Sequence, residues 1–275
     1  MFRIGWFSTG RDPAARELLI EAHDGIEDGT IPGKISFVFS NCEDGEFEQS
    51  DLFFDLVRSY GYTLIQFSSS TFKPEMRAEG RKDEGILKQW RREYDGEIVK
   101  RLEGHEMDLG VLAGYMLIVG DEMCKVCNMI NLHPAAPDGP KGTWQEVIWE
   151  LLEKRADRTG VMLHLVTEEL DRGPVITYCV FPIVGGDLEP LWRDFDSRLE
   201  SETVGDIAKK DGEGNPLFAE IRRLGFIREL PLIVHTLRAF AEGEVRIEDG
   251  TVVAQGRLVP GGHDLSDAID KAVSA

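Results

Sequence analysis

A doubly wound α/β domain on a mostly parallel sheet, with a C-terminal helix and β-hairpin extension, is the fold class this sequence predicts. Three observations predict it. Strand-length apolar runs alternate with stretches of helical apolar spacing from the first residues onward, and this βαβαβ order puts helices on both faces of a parallel sheet. The run at 129–132 delivers Asn131 and His133 at its carboxyl end, where open α/β sheets place their ligands. Two long helical patterns and a turn-centred pair of β runs then close the chain.

The elements follow in order. Phe2 to Phe7 reads as a strand, and Pro13 to Ile26 as a helix with Ala15, Leu18, Leu19, Ala22 and Ile26 on one face. Ile35 to Phe39 is a second strand, ended by Ser40-Asn41, and a helix through Leu52, Phe53, Leu56 and Val57 leads to a third at Thr63 to Phe67. Lys82 to Leu102 is a long polar helix with Ile86, Trp90, Tyr94 and Ile98 on one side, and Leu109 to Leu112 is a fourth strand. A short helix near Val119 to Val126 precedes the strand Met129 to Leu132. Thr143 is an N-cap for the helix carrying Val147, Ile148, Leu151 and Leu152. Gly160 to Val166 and Val175 to Ile183 are β runs flanking a loop, helices are expected at about 188–209 and 216–241, and a hairpin with arms Val245 to Ile247 and Val252 to Ala254 turns at Glu248-Asp249-Gly250. From Pro260 the chain reads as a short terminal appendage. The expected division is an α/β domain over 1–200 and C-terminal helices, hairpin and tail over 201–275, packed on the same domain.

At 275 residues the chain can bury a large core. Its 50 acidic against 31 basic residues, a net charge of -19, disfavour association with nucleic acid or an anionic membrane, so small molecules are the expected ligands. Without a basic leader or an apolar run of membrane-spanning length, the expected location is cytoplasmic. Cys42, Cys124, Cys127 and Cys179 are too scattered for a secreted disulfide framework. Cys124-Lys125-Val126-Cys127 has metal or redox spacing, but no second such pair exists and the motif does not open a helix after a first strand, so no metal is expected.

The chemistry concentrates in Asn131-Leu132-His133-Pro134 and in Glu169-Leu170-Asp171-Arg172-Gly173-Pro174. An amide, an imidazole and a carboxylate in one cleft can polarise a carbonyl, hold an oxyanion and move a proton. Taken singly, the ordinary reading of each is a turn or capping residue.

Both segments resemble the folate-dependent formyltransferase family, and within it the branch acting on glycinamide ribonucleotide, whose Asn-x-His-Pro and Leu-Asp-Gly-Gly-Pro-Val runs carry the catalytic trio. The resemblance covers roughly residues 1 to 200, with a weaker echo at 226 to 258. It implies a formyltransferase-like fold and transfer of a formyl group from 10-formyltetrahydrofolate, as co-substrate, to an amine acceptor. The catalytic residues it implies are Asn131, His133 and Asp171. Ala113-Gly114-Tyr115-Met116-Leu117-Ile118-Val119 is similar to the family's pterin-receiving Ala-Gly-Phe-Met-Arg-Ile-Leu, so Tyr115, Met116, Leu117, Ile118 and Val119 are expected on one wall of the folate pocket and Val166, Thr167 and Glu169 on the other. Leu117 stands where the family has Arg. Thr9, Gly10 and Arg11 occupy the place of the family's Gly-rich phosphate loop, and His164 matches a family histidine that the resemblance puts at the acceptor, while strand alternation allows a core residue, a support to the catalytic residues or a catalytic one. Asp12 and Pro13 are poor phosphate partners, and Phe226 stands near a family Glu that holds ribose hydroxyls.

The acceptor implied is therefore a small, phosphorylated amine, glycinamide ribonucleotide in purine synthesis, with a homodimer left open. The alternatives are an amino sugar nucleotide or other amine as acceptor, hydrolysis of formyltetrahydrofolate, and a folate- or nucleotide-binding module without turnover. A tRNA acceptor is disfavoured by the acidic C-terminal part.

Overall fold

The computed structural model describes all residues except Cys127, Glu168, Leu170, Asp171, Asp249 and Ala275. The chain winds one half of a sheet with β1 (Phe2–Phe7), α1 (Pro13–Glu27), β2 (Gly33–Ser40), α2 (Glu48–Ser59) and β3 (Leu64–Gln66). It then crosses back through α3 (Pro74–Gly80) and α4 (Glu84–Arg101), and β4 (Leu109–Leu112) pairs with the free side of β1. After α5 (Asp121–Cys124) come β5 (Met129–His133), α6 (Trp144–Glu153), β6 (Arg158–Leu165) and β7 (Val175–Pro182). The C-terminal part holds α7 (Glu189–Leu199), α8 (Val204–Asp211), α9 (Pro216–Ala241), β8 (Val245–Glu248), β9 (Thr251–Ala254), β10 (Arg257–Leu258), β11 (His263–Asp264) and α10 (Ser266–Val273).

The main sheet has eight strands in the order β11-β7-β6-β5-β4-β1-β2-β3, and β8 to β10 form a separate antiparallel sheet. Pairing in the main sheet is parallel except at β5–β6 and β6–β7. The strand order reverses between the parallel neighbours β1 and β4, so the crevice of an open α/β sheet lies between the loops that follow these two strands.

The strand sequences are apolar on both faces because both faces are covered. Ile4 and Trp6 of β1 and Ile35 and Val38 of β2 join a core with α1, α2, α6 and α9, while Phe7, Phe37 and Phe39 face the opposite way onto Trp90, Tyr94 and Ile98 of α4. Burying side chains of this size contributes roughly 1.5–3 kcal/mol each, and these are 0 to 6% exposed. Local signals set the helix ends: Asp12 accepts from Ala15 N at 2.9 Å ahead of Pro13, and Thr143 and Glu146 form a capping box at α6.

Three elements differ from the sequence reading. The helix expected over 188–209 is two, α7 and α8, because Thr203 and Asp206 cap each other reciprocally and begin a new helix inside the apolar pattern. A separate α3 precedes the long polar helix. The tail is no appendage: β11 pairs with β7, and Ile269 of α10 lies in the main core. Among the described residues no helix is long and apolar enough to cross a membrane.

One charged group lies inside the second core. Asp95 of α4 is 2% exposed and accepts Gly120 N at 2.6 Å. Burial pushes its carboxyl from 3.8 up to about 7, opposed by the Gly120 hydrogen bond and reinforced by Asp121 and Glu122. Between those two values the folded state holds a proton that the unfolded chain has released, so stability is full at acid pH and is lost as pH rises through about 7. Asp95→Asn keeps the acceptor oxygen without the charge. Denaturant titrations from pH 5 to 8 are expected to show the wild type losing on the order of a few kcal/mol relative to the variant over that interval. Parallel curves would remove Asp95 as the cause.

Candidate active site

Strand alternation puts Asn131 and His133 on one face of β5. The antiparallel register sets Asn131 opposite His164 and His133 opposite Met162. Asn131 Nδ2 lies 3.2 Å from His164 Nε2, and His164 Nδ1 lies 3.1 Å from the Leu165 carbonyl oxygen. A carbonyl can only accept, so a neutral His164 carries its proton on Nδ1 and offers the Nε2 lone pair to the amide N–H. His164 thereby orients Asn131. His133 Nε2 lies 3.2 Å from the Pro140 carbonyl oxygen, an acceptor supplied by the Pro/Gly-rich loop after β5. Both imidazoles are 3% exposed, their ring centroids 6.1 Å apart and nearly perpendicular.

The loop that carries Asp171 runs from β6 to β7 and is closed by Leu165 N donating to Pro174 O at 2.8 Å, one residue from His164. Asp171 itself lies outside the described residues. Around it, Thr167 Oγ1 donates to Glu169 O at 3.1 Å, and the exposed Glu169 and Arg172 side chains stand 3.6 Å apart.

Val166, Tyr115 and Leu117 pack against the same apolar cluster, to which Val119 belongs. Tyr115 meets Phe7 and Phe39, and its burial pushes the phenol well above its ordinary range. Met116 projects outward at 65% exposure, while Ile118 is half-buried. The loop after β1 is bonded to the same segment: Thr9 N donates to Gly114 O at 3.0 Å, and Met116 N donates to Thr9 Oγ1 at 2.8 Å. Thr9 Oγ1 in turn donates to Asn41 Oδ1 at 2.7 Å. Thr9 therefore spans the crevice between β1 and β4.

Gly10 has a close steric reason to be glycine. Its φ is +69°, and a Cβ there would stand 2.8 Å from Phe53 Cβ of α2. Arg11 stacks on the exposed Phe47 ring at 3.7 Å, leaving a guanidinium at the rim. The amino end of α1 is occupied from within, since the Asp12 carboxylate takes the Ala15 N–H that an anion would use and Pro13 has none to give.

Phe226 lies under the Arg222 guanidinium at 5.2 Å, and Arg222 also covers Trp144 at 4.9 Å. The same α9 carries Glu229, 4% exposed and ion-paired with Arg222, so this stretch does hold a buried carboxylate within one turn of Phe226. A Glu among the apolar residues in the middle of a long helix was its sequence signal. The cations between Lys73 and Arg92 mostly face solvent or acidic partners, with Lys73 on Glu93 and Arg92 on Glu122. Cys124 is half-buried and Cys127 lies outside the described residues. Among the described residues no group of three or more His, Cys, Asp or Glu is arranged to hold a metal ion. A groove between α1 and α2, lined by Arg16, Ile20, Leu52 and Leu56, contains none of the candidate residues.

The formyl transferase family model matches residues 17–190. Phosphoribosylglycinamide formyltransferase of Escherichia coli strain K12 is 31% identical over 114 residues, 41% of this chain and 51% of that protein. The Dictyostelium discoideum enzyme of the same name is 33% identical over 125 residues, 42% of this chain and 61% of its own length. The matches thus span about half to three fifths of these curated relatives. Among solved structures, phosphoribosylglycinamide formyltransferase from Coxiella burnetii superposes with a TM-score of 0.66 at 18% identity, covering 96% of this chain and 98% of that one. Glycinamide ribonucleotide transformylase 1 from Symbiobacterium toebii gives 0.62 at 24% identity, covering 92% and 94%. These two likenesses establish the fold, and the family match extends over most of the sheet that presents Asn131, His133 and His164: this chain belongs to the formyl transferase family.

Proposed function

We propose that the protein transfers a formyl group from 10-formyltetrahydrofolate to a primary amine, with glycinamide ribonucleotide as the acceptor. The observation that carries this reading is the Asn131–His164 pair beside His133, an amide donor fixed in direction next to an imidazole donor on one strand end. The names of the relatives support the acceptor.

In the proposed reaction the amine nitrogen attacks the formyl carbon, and a tetrahedral oxyanion forms. Asn131 N–H and a protonated His133 stabilise it, at roughly 3 to 4 kcal/mol for each well-placed donor. His133 Nε2–H already donates to the Pro140 carbonyl, the kind of oxygen acceptor that the oxyanion presents. Asp171 favours the charged imidazole and collects the proton shed by the amine, directly or through water. The carbon–nitrogen bond to the folate then breaks, and the folate nitrogen leaves with a proton. Tyr115 to Val119 with Val166, Thr167 and Glu169 hold the folate, and Arg11 with the Thr9-Gly10 turn meets the acceptor phosphate. A cytoplasmic setting belongs to the same proposal.

A specific observation favours a second acceptor. The internally capped amino end of α1 offers little to a phosphate, which suits an amine whose anionic group lies elsewhere, such as an amino sugar nucleotide.

Following the ultraviolet change of 10-formyltetrahydrofolate with and without glycinamide ribonucleotide separates the readings. Amine-dependent consumption is expected; consumption without amine means hydrolysis, and no consumption with glycinamide ribonucleotide or, in a second assay, an amino sugar nucleotide overturns the transferase. Asp171→Asn should lower turnover by roughly 100-fold or more while folate affinity holds, and an undiminished rate sinks its role. His164→Leu leaves the Asn131 amide without its acceptor, and turnover should fall by about 10-fold or more with donor KM nearly constant; a change in acceptor KM alone would instead make His164 a contact to the acceptor. For Arg11→Ala, loss of a charge-assisted contact of about 1.5 to 3 kcal/mol predicts an acceptor KM higher by roughly 10-fold to 150-fold. An unchanged constant takes Arg11 out of the site.

A further inference from the structure

The segment from Ala113 to Gly120 is fastened at both ends. At its start Thr9 accepts Met116 N and donates its own N–H to Gly114 O. At its end Gly120 N donates to Asp95 at 2.6 Å, and the seat is tight enough that a Cβ on Gly120 would stand 2.6 Å from Asp95 Oδ2. Between these fastenings lies the run Tyr115 to Val119. An Asn at 95 could accept the same N–H without the cost of burying a charge, so a neutral tether would not need the carboxylate.

We propose that Asp95 is a positioning residue for the folate co-substrate: through Gly120 its carboxylate sets the Tyr115–Val119 wall relative to Asn131 and His133. The inference rests on the formyl-transfer reading above. Asp95 touches no reacting atom; it acts through the loop. The groups facing it are Tyr94 and Arg91 of its own helix, Tyr115 of the loop, and Asp121 and Glu122 of α5, the last also held by Arg92. With its carboxyl pushed up to about 7, the tether passes from a charge-assisted to a neutral hydrogen bond as pH falls through neutrality. Donor affinity should weaken in the same direction.

The test is equilibrium titration of the whole protein with 10-formyltetrahydrofolate, without acceptor, from pH 6 to 8.5, alongside the acceptor KM. Asp95→Ala is expected to raise the donor Kd roughly 10-fold and leave the acceptor KM in place. Asp95→Asn is expected to show at every pH the weaker affinity of the wild type at low pH, still above that of Asp95→Ala, and so to abolish the inflection near neutrality. Lowered thermal stability in Asp95→Ala with an unchanged donor Kd would overturn the inference, leaving a structural tether only. If Asp95→Ala does not fold, the pH profile of Asp95→Asn decides alone, and a retained inflection overturns it. A wild type that binds no 10-formyltetrahydrofolate defeats the proposed function itself, and this inference with it.

Discussion

The candidate site depends on the antiparallel entry of β6 beside β5. Every strand from β4 through β3 runs parallel, and a parallel β6 would carry its histidine to a different level from Asn131. Reversal sets Asn131 and His164 directly across from one another, where a side-chain pair on one face can bond. The same reversal makes the connection from β6 to β7 a loop closed by Leu165 and Pro174, one residue from that pair. A register slip of one residue would turn His164 to the opposite face and release the amide.

The crevice side of the sheet is unusually polar beneath its surface. Ser8, Thr9, Ser40, Asn41, Ser50, Ser68 and Ser69 are all buried near the ends of β1, β2 and β3. Such groups are costly unless bonded, and they bond largely to one another and to loop backbone: Ser50 to Thr9 O, Thr9 to Asn41, Asn41 to Ser69. This network holds the rim loops in one arrangement, where a purely apolar filling would specify their backbone less sharply.

Much of this was legible in the sequence for a physical reason. Strands buried on both faces appear as unbroken apolar runs, and β1, β2, β4, β5, β6 and β7 all lie where such runs predict them. Asn131 and His133 were legible because they end one of these runs. The pairing of His164 with Asn131 was not, since alternation tells which face a side chain takes and only the register tells what stands opposite. Asp95 was hidden in a long polar helix, where one more carboxylate reads as a solvated face. Glu229 was hidden differently, since a single carboxylate beside Arg228 in a mostly apolar helix gives no sign of which way it faces. The break between α7 and α8 lay in a Thr203–Asp206 cap that the apolar spacing ran straight through. Strand β11 has only two residues, too few to carry any periodic signal, and its pairing is decided by long-range docking of α10.

That short strand has a consequence for the solubility of the molecule. β7, Val175–Pro182, would otherwise be the outermost strand, apolar and eight residues long. The tail occupies its outer edge: Leu265 N donates to Tyr178 O at 2.8 Å and Ser266 Oγ accepts Val180 N at 3.0 Å. Arg228 and Asp270 pin α10 behind it at 3.1 Å. An uncovered strand of this composition is a template for another chain's backbone and hence for aggregation. Residues 263 to 273 thus serve as an edge guard, and a variant lacking them would carry the site on a sheet open to self-association.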